Sequence, residues 1–250
     1  MKRLATYSQY FIRNPRLIKE LIGHTSINRH DTVYDIGAGS GVISSVLANR
    51  CQTVIAVEFE PRMAAKLREN MTDYPNVTVH QADFLTMPLP TAPYKIFSNI
   101  PFHLSSPIIR KLAETSSPPQ AAYLIVQKQF ANKLLPDSDH FTGQLGMIIG
   151  PLFAVRIRKR LQRTDFWPHP NVDTVLIELV LRPEPLITSK DMLAYRQWII
   201  GCFSDPKIFA RAPRDKISLP LNIKPSQMRL SQWLDLFSAI DKKDLPKVKN

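Results

Sequence analysis

The chain has 250 residues, 44% apolar and 22% charged, and Lys plus Arg outnumber Asp plus Glu 33 to 21, for a net charge of +12. That leaves room for a sizeable core and points to a polyanionic partner, nucleic acid before an anionic membrane surface. Cys51 and Cys202 form no C-x-x-C pair, "MKRLATYSQYFIRNPRL" has no apolar core of signal-peptide length, and "LGMIIGPLFAV" is far short of a membrane span, so a soluble cytoplasmic protein without a disulfide framework or metal is expected.

In chain order, "TVYDIG" (32–37), "TVIAVEF" (53–59), "VTVHQAD" (77–83), "KIFSNI" (95–100) and "AAYLIVQ" (121–127) are short, apolar, β-branched runs. Between them "GVISSVLANR" and "EPRMAAKLRENM" show helical spacing. This alternation predicts an α/β fold, a parallel sheet with helices on both sides. "FAVRIRKRLQ" (153–162) and "DTVLIELVLRP" (173–183) lie too close together for a helical crossover and are expected to pair as an antiparallel hairpin at one edge. "RPEPLITS" (182–189) reads as a linker, which divides the chain into 1–182 and 183–250. Beyond it, "DMLAYRQWIIGCF" and "SQMRLSQWLDLFSAI" read as amphipathic helices anchored by Trp198, Phe203, Trp233 and Phe237.

The first strand–helix junction, "VYDIGAGSGVIS", places Asp35 at a strand end and then Gly37, Gly39 and Gly41 before a helix. Glycines so spaced permit a tight turn and close approach of backbone to a ligand, although the same cluster could serve only to pack helix on strand. The next strand ends in Glu58, followed by Phe59, where a carboxylate can accept from both hydroxyls of a ribose. The one after ends in "ADF", with Asp83 placed for an exocyclic amine and Phe84 beside it. One strand-end carboxylate is usually a helix cap, but three on successive strands describe a ligand edge. The third glycine comes one residue early for a dinucleotide fingerprint, and Asp83 adds an adenine partner. The set favours S-adenosylmethionine over a nicotinamide cofactor.

The fourth strand runs into "FSNIPF" on the same edge. The Asn99 side-chain oxygen and the Ile100 carbonyl could each accept one hydrogen of a purine amine, with Pro101 stiffening the corner and Phe102 offering a stacking face for a flipped base. Alone, the tetrapeptide is equally a strand-terminating turn. Phe166, in "FWPHPNVDTVLI", is a candidate for the other face of the base, with a core aromatic as the alternative. Lys2, Arg3, Arg13 and Arg16, with Arg156, Arg158, Lys159, Arg160 and Arg163 of "RIRKRLQR", are candidate phosphate contacts. The second group is as well read as an edge strand protected by charge.

Taken together, "YSQYFIRNP", "DIGAGSG", "VEFE", "QADFL", "NIPF" and "FWPHPNVDTVLI" resemble the ribosomal RNA adenine dimethyltransferases, which include the erythromycin-resistance (Erm) 23S enzymes and the 16S dimethyladenosine transferases. The resemblance implies a Rossmann-like seven-stranded methyltransferase sheet, a small helical C-terminal domain that binds RNA or is accessory to catalysis, and methyl transfer to an adenosine amine. It adds Gln9, Tyr10 and Ile12 to the cofactor contacts beside Asp35, Gly37, Gly39, Gly41, Glu58, Phe59, Asp83, Phe84 and Asn99. Asp35 stands where the family usually has Glu, Tyr10 where it has Asn or His, and Phe102 where Tyr is commoner. "NIPF" and the tail "MRLSQWLDLFSAI" look like the Erm branch, which implies 23S rRNA as partner, a monomer, and macrolide-lincosamide-streptogramin B resistance. A 16S enzyme active in small-subunit assembly and a non-catalytic nucleic-acid-binding relative remain alternatives.

Overall fold

The computed structural model describes residues 10–12, 14–137, 141–217, 219–220 and 222–241. Apolar β-branched runs form strands because both faces of a central sheet are covered, and β6 (Ala121–Gln127) is buried along its length except at Gln127. Beside it lie β2 (Thr32–Ile36), β3 (Thr53–Glu58), β4 (Val77–Gln81), β5 (Lys95–Asn99), β7 (Phe153–Leu161) and β9 (Thr174–Leu181). They form a seven-stranded sheet in the order β4-β3-β2-β5-β6-β9-β7, the expected Rossmann-like architecture. Pairings from β4 through β6 are parallel, and β9 runs antiparallel to β6. Thus the late pair of strands closes one edge, with β7 outermost.

Capping side chains fix where helices begin. Asn14 accepts from the amides of Arg16 (3.0 Å) and Leu17 (3.4 Å) to start α1 (Pro15–Gly23). Glu60 accepts from Arg62 and Met63 to start α3 (Pro61–Asn70). In both, proline occupies the first turn, where its missing amide costs nothing. α1 and α2 (Val42–Ala48) pack Ile18, Leu21, Ile22, Ile43 and Leu47 against Val33, Phe97, Ile125 and Leu176 of the sheet. α4 (Ser105–Glu114) connects β5 to β6.

A second sheet, unexpected from sequence, joins β1 (Phe11–Ile12) to β8 (Phe166–Trp167), antiparallel, with Ile12 opposite Phe166. Cα packing divides the chain into two compact units, Met1–Lys128 with Arg156–Leu181, and Gln129–Val155 with Arg182–Asn250. α5 (Lys128–Leu134) and α6 (Gln144–Ile149) fall largely in the second unit beside the C-terminal helices α7 (Ser189–Ser204), α8 (Pro206–Ala210) and α9 (Leu230–Ala239). Its core is aromatic. Trp233 is fully buried, with Trp198 at 5.3 Å, Phe209 at 5.6 Å and Phe203 stacked at 5.7 Å between ring centroids. Thr142 ties the loop before α6 to the segment that leads into α9 through the carbonyls of Ser226 and Met228.

Candidate active site

Strand order reverses between β2 and β5: from β2 the chain steps outward to β3 and β4, and from β5 the other way to β6. In an open α/β sheet, the carboxyl ends at such a point frame the ligand crevice. Here those ends carry the glycine turn and Asn99–Phe102. β2 and β5 pair at only two register positions, Val33 with Lys95 and Tyr34 with Ile96. Further along, the buried Ser98 hydroxyl takes over and accepts the Ile36 amide at 2.7 Å. A side-chain bridge thus replaces the ladder near the carboxyl ends of the two strands.

The two motifs then touch. Gly37 has φ +70°, and a Cβ there would lie 3.3 Å from Pro101 Cδ. At Gly41 (φ +92°) the missing Cβ makes room for α3 instead, because it would lie 2.7 Å from Leu67 Cδ1 and 2.8 Å from Met71 Cε.

The acids of β2, of β3 and of the segment after β4 are held differently. Glu58 is 4% exposed and accepts the Gly39 amide on Oε2 (2.8 Å) and the Glu60 amide on Oε1 (2.9 Å), so its plane is fixed while each oxygen keeps a lone pair. Asp35 is fully buried, and Oδ2 accepts from the Ser44 hydroxyl at 2.7 Å while Oδ1 has no partner. Burial, with the nearby Glu58 charge adding to it, pushes the Asp35 carboxyl up to about 7 despite the Ser44 hydrogen bond. Asp83, half-buried, accepts the Leu85 amide at 2.8 Å. Phe84 is buried, whereas Phe59 is 66% exposed beside Glu58.

Asn99 donates from Nδ2 to the Tyr10 carbonyl at 2.5 Å. A carbonyl can only accept, so this contact sets the amide orientation and leaves Oδ1 as the acceptor. Ile100 is buried, Phe102 half-buried, and the Tyr10 and Phe102 rings lie 5.3 Å apart at 33°. Phe11, Ile12, Ala38, Ser40, Val42, Ile43 and Met63 line a cleft of about 270 Å³ beside the turn.

Other expected site residues fall elsewhere. Phe166 is 2% exposed and belongs to the core cluster with Ile12, so its ring packs inward, and Trp167 is the exposed aromatic of that pair (46%). Lys2, Arg3, Gln9 and Arg13 lie outside the described residues. Arg16 is exposed at the start of α1. On β7, Arg156 and Arg158 both pair with the buried Glu178 and Lys159 pairs with Glu20; just beyond the strand, Arg163 pairs with Asp173 at 3.2 Å. Arg160 is exposed. Sequence reasoning missed Ser44 and Ser98, polar residues set in apolar runs, and Lys111, whose ammonium meets the carbonyls of Leu85 and Met87.

The sheet order, the glycine turn and the strand-end acids are those of a Rossmann-like S-adenosylmethionine-dependent methyltransferase. The model of the ribosomal RNA adenine dimethylase family matches residues 2–206, and the chain belongs to that family, an rRNA adenine methyltransferase. An rRNA adenine N-6-methyltransferase of Saccharopolyspora erythraea is 28% identical over 96% of this chain and 66% of its own length. A ribosomal RNA small subunit methyltransferase A of Latilactobacillus sakei is 30% identical over 78% of this chain and 69% of its own. The chain thus spans about two thirds of each. Among solved structures, the 23S rRNA methyltransferase ErmE superposes with a TM-score of 0.78 at 27% identity, covering 91% of this chain and 98% of that one. A Plasmodium falciparum dimethyladenosine transferase, at 22% identity and TM-score 0.76, covering 94% and 98%, shares the fold.

The residues fit the cofactor: a buried carboxylate oxygen without a partner, a second carboxylate with lone pairs to spare, and an apolar cleft at one crevice. Among the described residues there is no group of three or more His, Cys, Asp or Glu placed to hold a metal, and no helix long and apolar enough to cross a membrane.

Proposed function

We propose that Asn99 and its neighbours activate the exocyclic amine of one unpaired adenosine in ribosomal RNA. The observation that carries this reading is the Tyr10 carbonyl's hold on Asn99 Nδ2, which commits Oδ1 to accepting. Asp35 and the cleft residues would hold the methionine end of S-adenosylmethionine, Glu58 the ribose, and Asp83 with Phe59 and Phe84 the adenine. When bound, the cofactor supplies an electrophilic methyl group on a sulfonium. A purine amine is a poor nucleophile because its lone pair is delocalised into the ring. Asn99 Oδ1 and the Ile100 carbonyl each accept one of its hydrogens and draw the nitrogen toward tetrahedral geometry. Pro101 fixes the corner and Phe102 stacks on the extruded base. Positioning and hydrogen-bond acceptance at developing positive charge supply the rate, with no strong base. Asn99→Ala should lower the single-turnover methylation rate about 100- to 1,000-fold with RNA affinity retained. An unchanged rate would remove the amine corner.

For the RNA, we favour 16S rRNA within the assembling small subunit, because proteins described as ribosomal RNA small subunit methyltransferase A, such as that of Latilactobacillus sakei, recur most often among its relatives, while the rRNA adenine N-6-methyltransferases of Limosilactobacillus reuteri and Lysinibacillus sphaericus reach 32% and 34% identity. The second reading, the 23S target that the sequence cues favoured, draws support from the Ile100 form of the corner and from the similarity to ErmE. Radiolabelled S-adenosylmethionine offered with immature 30S particles and with protein-free 23S rRNA separates them. Label in 30S alone supports the first. Label in the peptidyl-transferase loop of 23S supports the second, and with it macrolide resistance on expression. RNA binding without label in either would favour the non-catalytic relative. A cytoplasmic monomer completes the proposal, with catalysis in the unit of Met1–Lys128 and Arg156–Leu181 and RNA binding or an accessory role in the unit of Gln129–Val155 and Arg182–Asn250.

A further inference from the structure

The expected phosphate contacts on β7 divide by task. Arg156 and Arg158 compensate Glu178, whose side chain is 5% exposed, and Arg158 also donates to the His24 carbonyl at the end of α1 (2.5 Å). A buried carboxylate and a helix-terminal carbonyl both need such partners, so these two arginines serve the fold. Lys159 does not: its partner Glu20 is half exposed, so the two form a solvent-screened surface pair that is easily exchanged for another anion.

Leu21, His24, Arg158, Lys159 and Leu176 enclose a notch of about 160 Å³, with an apolar floor and three nitrogen-bearing side chains at its wall. Strand register locates it. Asn99 lies opposite Ile125, Ile125 lies opposite Leu176, and Leu176 floors the notch. Residues directly opposite share a face of the sheet, so two strand spacings put the floor of the notch roughly 10 Å from Asn99, with β7 one spacing further. α1 covers that same face through Ile18, Leu21 and Ile22.

We propose that this notch binds a backbone phosphate of the substrate RNA, a few nucleotides from the target adenosine, with Lys159 as the exchangeable cation and Glu20 as the competing internal anion that the phosphate displaces. The inference rests on the reading of the chain as an rRNA methyltransferase. It adds an anchor that fixes the strand's path across the sheet face toward Asn99. Backbone contacts set register without reading sequence, which suits an enzyme that must bring one adenosine to a fixed corner.

The test uses the full chain and a labelled RNA stem-loop with an unpaired adenosine, titrated across a salt series. Lys159→Gln should weaken binding several-fold and lower the slope of log affinity against log salt by about 1. Glu20→Gln should do the opposite, tightening binding and steepening the slope, an outcome that loss of folding could not mimic. S-adenosylmethionine affinity should stay at the wild-type value in both. If wild type binds the RNA while both variants match it in affinity and slope, the notch proposal is overturned alone. If wild type binds no RNA at any salt, the reading of the chain as an RNA-modifying enzyme fails with it.

Discussion

At the scale of single residues, Asp35 combines two opposed demands. Its carboxyl is wholly buried with one oxygen unpartnered, and burial holds it near 7 where an unfolded aspartate titrates near 4. Between those values the native state keeps a proton that the unfolded chain has released. Its stabilising contribution is therefore complete below about pH 4, declines as pH rises, and is lost above about 7, an upper bound of roughly 4 kcal/mol. Denaturant midpoints measured from pH 5 to 8 should fall with pH more steeply for wild type than for Asp35→Asn, which keeps the Ser44 contact and cannot ionise. Parallel curves would show that Asp35 titrates as an ordinary aspartate. The same ionisation should tie cofactor affinity to pH, because the ionised carboxylate is the form that attracts a cationic ligand.

The elements that carry the acids are held by contacts remote in sequence. The loop after β4 is clamped by Lys111 of α4, which donates to the Leu85 carbonyl at 2.9 Å and to that of Met87, and stands 5.4 Å over the Phe84 ring. Desolvation lowers the Lys111 pKa, and the Asp83 charge offsets part of that. Lys111→Met should leave Asp83 in place but free the loop, weakening S-adenosylmethionine binding about tenfold, with partial rescue by Arg; wild-type affinity in isothermal titration would show that the loop holds itself. Gly41→Ala should cost about 1–3 kcal/mol of unfolding free energy, since it adds a methyl against Leu67 at a left-handed position. The glycine turn, Glu58, Asp83 and Asn99 were legible in the sequence because turn chemistry and strand ends are local signals. The β1–β8 pair was not: two-residue strands carry no periodicity, and their register alone decides that Phe166 turns inward and Trp167 outward. Lys111 and the grouping of Gln129–Val155 with the C-terminal segment likewise depend on packing that no local pattern encodes.

For the molecule as a whole, the count of 33 Lys and Arg overstates what is on offer to RNA. Lys95 is spent on Asp31 at 2.8 Å and on the Ser26 carbonyl, and Arg156 and Arg158 on Glu178. The exposed pairs Lys66–Glu69 and Arg110–Glu114 are weak and add little to the fold. What remains is a dispersed set of exposed cations, so RNA affinity should be dominated by counterion release: log affinity should fall linearly with log salt, with a slope near −0.7 per phosphate engaged on single-stranded RNA. A magnitude of about 3 to 6 is expected with the ribosomal substrate and with an unrelated RNA of equal length alike, because phosphates carry no sequence. Methylation of the unrelated RNA should be undetectable even at low salt where it binds, since only an unpaired adenosine in the right frame reaches Asn99. A slope near zero would mean that the basic excess is not the RNA footprint, and equal methylation of both RNAs would place selectivity outside the amine corner.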